Sequence, residues 1–229
     1  MIKYRKFIIF GIIGMKWIYK LEYKYGRKAI ENLMYYIVGG MAVVFVMDII
    51  LSNTGRVSSL YELLTFDRDL IFSGQVWRII SFIFLPPDSS MLFIVFALYF
   101  YYMIGTSLEN AWSSFRFNVY YFTGVICTII FGFVTGYTTN MYLNMSLFFA
   151  FAMLFPDYKV LLFFVLPVKI KYLAYIDAVF FIIELIIAPW AYKIALLVAI
   201  GNFLLFFMED FIKKAKDSIA HIKSKHNYK

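Results

Sequence analysis

The sequence predicts an all-α integral membrane protein, a bundle of six transmembrane helices with both termini on the cytoplasmic side. Three observations carry that expectation. Hydrophobic residues make up 63% of the 229 and charged residues only 16%, where a soluble domain carries about a quarter charged. Apolar stretches long enough to cross a hydrocarbon core of ~30 Å recur along the chain. The net charge of +8 is unevenly spread, with lysine and arginine crowding both ends, and basic flanks mark the cytoplasmic side of a membrane protein. In this setting the positive charge reads as orientation and contact with the lipid bilayer, not as nucleic-acid binding.

Residues 1–28 form a basic leader. Lys3, Arg5, Lys6, Lys16, Lys20, Lys24, Arg27 and Lys28 stand against Glu22 around an apolar patch, Phe7 to Met15, that is too short to span. It reads as a cytoplasmic interfacial helix or a disordered leader. A signal-peptide core is disfavoured, because no small-residue cleavage site follows and basic residues resume at once. Met15-Lys16 is a second candidate start. Residues 29–211 are the expected membrane domain and 212–229 a basic cytoplasmic tail.

The first span is expected from Ile30 to Leu51, with Asp48 near its outer end and solvated there. The exterior loop 52–90 carries internal structure: Ser59-Leu60-Tyr61-Glu62 matches a capping box. Beyond it, Ile79 to Leu85 is an apolar run ended by Pro86-Pro87, too short to cross and suited to lying in the outer leaflet with Trp77 at headgroup level. A second span follows from Met91 to Leu108. Glu109 to Arg116 is expected as a tight turn into the third span, Phe115 to Tyr137, whose Gly132-Phe-Val-Thr-Gly136 permits close approach of a neighbour. That neighbour is either an internal packing partner or a second copy.

The fourth span, Tyr142 to Phe155, has only 14 residues and by length suits a re-entrant segment as well as a crossing. Charge parity favours crossing. Lys213, Lys214, Lys216, Lys223, Lys225 and Lys229 outnumber Glu209, Asp210 and Asp217 at the C-terminus, so both ends lie inside and the crossings are even in number. Pro156 to Lys171 is then an inside loop with Lys159, Lys169 and Lys171 against Asp157. The fifth span, Tyr172 to Ala188, and the sixth, Ala191 to Phe211, turn outside at Pro189-Trp190. The loop 52–90 sets Arg56, Arg68 and Arg78 against Glu62, Asp67, Asp69 and Asp88, a net of −1 that fits an exterior face.

Chemistry is sparse. Cys127 is the single cysteine, both histidines, His221 and His226, lie in the tail, and no cluster predicts a metal or any cofactor. Ser146, one turn into the fourth span, is either a buried nucleophile or a spare hydroxyl bonded to its own helix or to a neighbour. Two acids lie within the fifth span. Asp177 sits where a carboxylate costs about 2.5–3.5 kcal/mol unless partnered or near water; packing against polar groups such as Asn202 is expected. Glu184 lies nearer the outer interface, facing water or Lys193. Phe148, Phe149, Phe163, Phe164, Phe180 and Phe181 are expected as core or lipid-facing bulk.

Three features together resemble the rhomboid superfamily. They are the exterior loop bearing Trp77-Arg78, the short fourth helix, and the stretch in which Gly105 and Glu109 close helix two and Arg116-Phe117, Tyr120 and Gly124 open helix three. The segment Lys20 to Ile30, Phe155-Pro-Asp and Leu166-Pro-Val-Lys-Ile-Lys further resemble a bacterial rhomboid-like subgroup. The resemblance implies a multi-pass protein of a bacterial cell membrane, related to intramembrane serine proteases and to the Derlins.

Active rhomboids are similar in fold but use a serine in Gly-x-Ser-Gly on helix four with a histidine on helix six, because a serine hydroxyl needs an adjacent base and its oxyanion needs prearranged donors. Here the matching serine stretch is Asn144-Met145-Ser146-Leu147, without either glycine. The histidine position falls on Val198 or Ala199, and the donor positions on helix two fall on Phe93 and Ala97. Ser146 is therefore unpaired, and the sequence predicts a pseudoprotease; the resemblance implies that such a protein recognises transmembrane segments of client proteins, between helices two and five. Two alternatives stand beside it. One is a low-activity intramembrane serine endopeptidase acting through Ser146, with Lys193 as a substitute base. The other is a small transporter working through Asp177.

Overall fold

The computed structural model describes residues 16–53, 59–87, 89–162, 166–190 and 192–207. The leader to Met15, Arg56, Asp88, Phe163 and Phe164, the end of the sixth span and the tail 212–229 lie outside the described residues. The protein is mostly helical and membrane-embedded, with three helices long and apolar enough to cross a bilayer. These are α2 (Leu33–Asn53), α6 (Met91–Trp112) and α7 (Ser114–Thr135). Shorter helices complete the bundle: α1 (Lys16–Tyr25), α8 (Met141–Leu154), α9 (Ile170–Ile187) and α10 (Tyr192–Phe207). Three short helices, α3 (Leu60–Leu64), α4 (Arg68–Phe72) and α5 (Arg78–Ser81), structure the loop after α2.

The structure corrects the purely α-helical expectation in two places. Phe66–Asp67 (β1) pairs antiparallel with Tyr137–Thr138 (β2), and Lys159–Leu162 (β3) with Leu166–Lys169 (β4). Pairs this short depend on side-chain contacts to hold their register. In β3–β4 that hold comes from Asp157, which receives Lys171 Nζ at 2.9 Å and Lys169 Nζ at 3.2 Å.

The loop between α2 and α6 is tied down by polar contacts that the sequence spelled only in part. Ser59 caps α3 by accepting from Tyr61 N at 3.1 Å, while the carbonyl of Glu62 accepts from Arg78. Asp48 is not simply solvated: its carboxylate accepts from Leu60 N at 2.6 Å and from Ser59 Oγ at 3.3 Å, tethering the loop to the end of α2. Asn140, before α8, donates to the carbonyls of Ile83 and Leu85. Phe82, Ile83 and Leu85 are buried under these bonds, whereas Phe72, Val76 and Ile80 face outward.

Between α6 and α7 the expected turn, Glu109 to Arg116, shrinks to one residue. Helix α6 runs through Glu109 to Trp112, and Ser113, at φ 153° and ψ 159°, breaks it before α7 begins. That backbone region costs about 1–3 kcal/mol for a residue with a Cβ and persists where neighbours over-determine it. Here Ser113 Oγ donates to Glu22 Oε1 at 2.7 Å, and Glu22 also receives Arg116 Nε at 2.7 Å. The same contacts dock α1. Its Ile18 is buried and its Tyr19 ring stacks under the Arg116 guanidinium, so this part of the leader is a helix fastened to the bundle.

Candidate functional site

Helix α8 offers two faces with different chemistry. Met141, Asn144, Met145 and Phe148 recur at helical spacing on one side. Leu143, Ser146, Leu147 and Ala150 recur on the other and are buried in the bundle. Ser146 is 1% exposed, and its Oγ lies 2.5 Å from Tyr120 Oη on α7; either oxygen can donate. Tyr120 Oη also donates to the Ser146 carbonyl at 3.0 Å. With the phenol proton on that carbonyl, the serine proton goes to the phenol oxygen. A buried phenol that keeps its own proton is no base for serine.

Tyr120 is itself enclosed from the α10 side. Asn202 Nδ2 donates to its backbone carbonyl at 3.4 Å, and the Phe206 ring meets its ring edge-on at 4.9 Å. On α10 Ala199 is buried and Val198 half-buried, and neither carries a proton acceptor. Tyr120 was visible in the sequence only as one aromatic in the Arg116 to Gly124 stretch. Nothing local in that stretch says that it meets Ser146, because the pairing spans 26 residues and depends on how α7 and α8 cross.

The other positions matched to a catalytic centre do not join Ser146. Phe93, Ala97 and Asn144 line a groove of 690 Å³ between α6, α8 and α9. Its walls are three helical stripes at i, i+3, i+4 and i+7 spacing: Phe93, Phe96, Ala97 and Phe100 from α6, the Met141 to Phe148 face of α8, and Leu173, Ile176, Asp177 and Phe180 from α9. Almost all of this lining is apolar. Asn144 is the exception on α8, with Tyr101 as side-chain neighbour and an Oδ1 that has no partner. Asp177 is the exception on α9. The expected contact between Asp177 and Asn202 is not made, since Asn202 packs instead against Gly124 and Tyr120. Glu184 likewise forms no ion pair with Lys193 among the described residues; it lies near Tyr142 and Asp177.

The motif residues serve the scaffold around these sites. Arg78, 3% exposed, donates through Nη1 to the carbonyls of Glu62 and Thr65 and through Nε to Gln75, while Trp77 Nε1 donates to Leu63 O at 3.1 Å. Glu109 Oε1 accepts from Asn32 N at 2.8 Å and from Ser114 Oγ at 2.6 Å, fixing the entry to α2 and the start of α7. A side chain at Gly105 would overlap Met34, and one at Gly124 would meet Leu143 and Asn202, so both glycines set how closely helices approach. Phe117 is fully buried and Arg116 pairs with Glu22. Gly132 packs against Phe66 and Thr138, and Gly136 adopts φ 93° as the cap of α7. The pair is thus occupied by internal packing, not by a face free for a second copy.

Comparison with protein-family models, curated proteins and solved structures finds no match to this chain. The chemical reading therefore rests on the two sites as they stand. The hydroxyl is sealed against a phenol, and the groove is a mainly apolar surface holding the Asp177 carboxyl, the unpartnered Asn144 Oδ1 and the Tyr101 hydroxyl beside Asn144.

Proposed function

We propose that this is a non-catalytic, rhomboid-like protein of a bacterial cell membrane that recognises transmembrane segments of client proteins. In this reading six helices cross the bilayer, both termini are cytoplasmic, and the loop 52–90 lies outside. The observation that carries it is the separation of Ser146 from the groove. A protease of this kind needs its nucleophile where a substrate backbone arrives, yet Ser146 turns to the opposite face of α8, toward Tyr120. What remains toward the bilayer is a groove of three apolar helical stripes, the kind of surface an amphipathic or transmembrane helix can fill through close packing and a few polar bonds. The short α8 also favours a locally thinned bilayer beside the groove, which eases the approach of a marginally stable helix.

The test is reconstitution in lipid with a helix-destabilised transmembrane substrate, wild type beside Ser146→Ala, reading cleavage by mass spectrometry and association by crosslinking within the membrane. Association without cleavage in either protein is the expected result. Cleavage that disappears in Ser146→Ala would overturn the non-catalytic reading.

A further inference from the structure

The groove is apolar except at Tyr101, Asn144 and Asp177. Tyr101 pairs with the Asn144 side chain, which leaves two acceptors, the Asp177 carboxyl and Asn144 Oδ1, without a donor among the described residues. Asp177 stands on the α9 stripe between Leu173 and Phe180, and no hydrogen bond or ion pair reaches it among the described residues. The basic residues nearest along the chain are held elsewhere: Lys169 and Lys171 both bind Asp157 beyond the end of α9. Across the groove, Asn144 is 5% exposed and its Oδ1 has no partner. A carboxylate and an amide oxygen left without donors in an apolar site are costly to the empty state and are relieved by a ligand that donates. The rings of Phe93, Phe96, Phe100 and Phe180 line the groove around these acceptors.

We propose that the groove selects transmembrane helices carrying a lysine or arginine within the apolar span, with Asp177 as counter-ion and Asn144 Oδ1 as second acceptor. This deepens the reading of the groove as the recognition surface and rests on it. The occupant follows from charge complementarity. A purely apolar helix leaves both acceptors unmet, and an acidic helix sets a carboxylate against Asp177 and Glu184 on α9. Of these three, the basic side chain supplies both a donor and the opposite charge, and it is also a residue that a lone helix holds at high cost in lipid, so partner and groove relieve the same penalty.

The experiment places a photo-crosslinking residue at Met145, on the groove wall, in the full chain reconstituted in phosphatidylcholine/phosphatidylglycerol vesicles. Three single-span peptides of equal length serve as probes: a leucine core, the same core with one central lysine, and the same core with one central glutamate. The lysine probe is expected to crosslink roughly tenfold more than the leucine probe, and the glutamate probe less than either. Asp177→Asn is expected to bring the lysine-to-leucine ratio close to one, whereas Ser146→Ala leaves it unchanged. Equal crosslinking of lysine and leucine probes in the wild type would overturn the charge selection and leave the groove as a recognition surface. Crosslinking of none of the probes, with the protein folded by circular dichroism, would overturn both.

Discussion

Tyr120 Oη on α7 and Ser146 Oγ on α8 stand 2.5 Å apart, both buried. That one bond decides the standing of the serine, since it points the hydroxyl into the bundle and pairs it with a group that keeps its own proton. Tyr120→Phe removes the partner and leaves a buried hydroxyl to find another. A loss of roughly 1–2 kcal/mol in stability is expected, read as a lower unfolding midpoint in detergent. Fluorophosphonate labelling of Ser146 is expected in neither protein. Labelling that rises in Tyr120→Phe would show a latent nucleophile restrained by the phenol.

The loop after α2 depends on Arg78. Its guanidinium reaches two backbone carbonyls and a side-chain amide from a buried position, and Arg78→Ala leaves the carbonyls of Glu62 and Thr65 without their donor. A destabilisation of roughly 2–4 kcal/mol is expected, with faster proteolysis within 59–85. Arg78→Lys is expected to recover little, because an ammonium cannot reproduce the planar fork.

Close approach at Gly105 predicts a compensating pair. Gly105→Ala drives a Cβ into the Met34 side chain and is expected to cost about 1–3 kcal/mol by overpacking. Removing the obstruction with Met34→Ala alone leaves a cavity. The double variant is expected to be more stable than the sum of the single losses, and a double-mutant cycle by thermal unfolding measures the coupling.

Helix α1 is held by a partly buried ion pair. Glu22→Gln weakens the bonds to Arg116 and Ser113 and is expected to release roughly 1–2 kcal/mol of docking. Amide exchange within residues 16–28 should quicken, while that of α6 and α7 stays slow.

The β3–β4 hairpin carries the pH dependence. Lys171 and then Lys169 hold the Asp157 carboxyl below its usual 3.8, and Asp157 holds the Lys171 ammonium above its usual 10.5. The carboxylate contribution is complete above the unfolded value and is lost as pH falls through the depressed folded value. The ammonium contribution is complete below the unfolded value and is lost as pH rises through the raised folded one. The hairpin is therefore expected to keep its exchange protection between these limits and to begin losing it as pH falls below about 4, with the loss complete only below the depressed folded value. Asp157→Asn should show the unprotected state at neutral pH.

The long apolar helices were legible because each is a local property: an apolar run long enough for the bilayer announces itself without reference to its neighbours. Leu33–Asn53, Met91–Trp112 and Ser114–Thr135 accordingly begin within about three residues of their expected starts. The strand pairs were not legible. Phe66 meets Thr138 across four intervening helices, α4 to α7, and two paired residues leave no alternating pattern to read.

By itself, then, the sequence determined a membrane-embedded helical bundle, a structured loop after its first span, and a serine without a histidine inside the membrane. Composition and run length settle such matters, because the bilayer imposes one solvent and one thickness on every segment. Only the tertiary structure decided that Ser146 faces Tyr120, that Asn144 faces away from Ser146, and that Asp177 opens on the groove and not on Asn202. Which face of a helix meets which neighbour follows from how ridges, glycine notches and buried polar bonds fit across helices far apart in the chain. A hydrophobicity pattern that is apolar on every side carries no record of that choice.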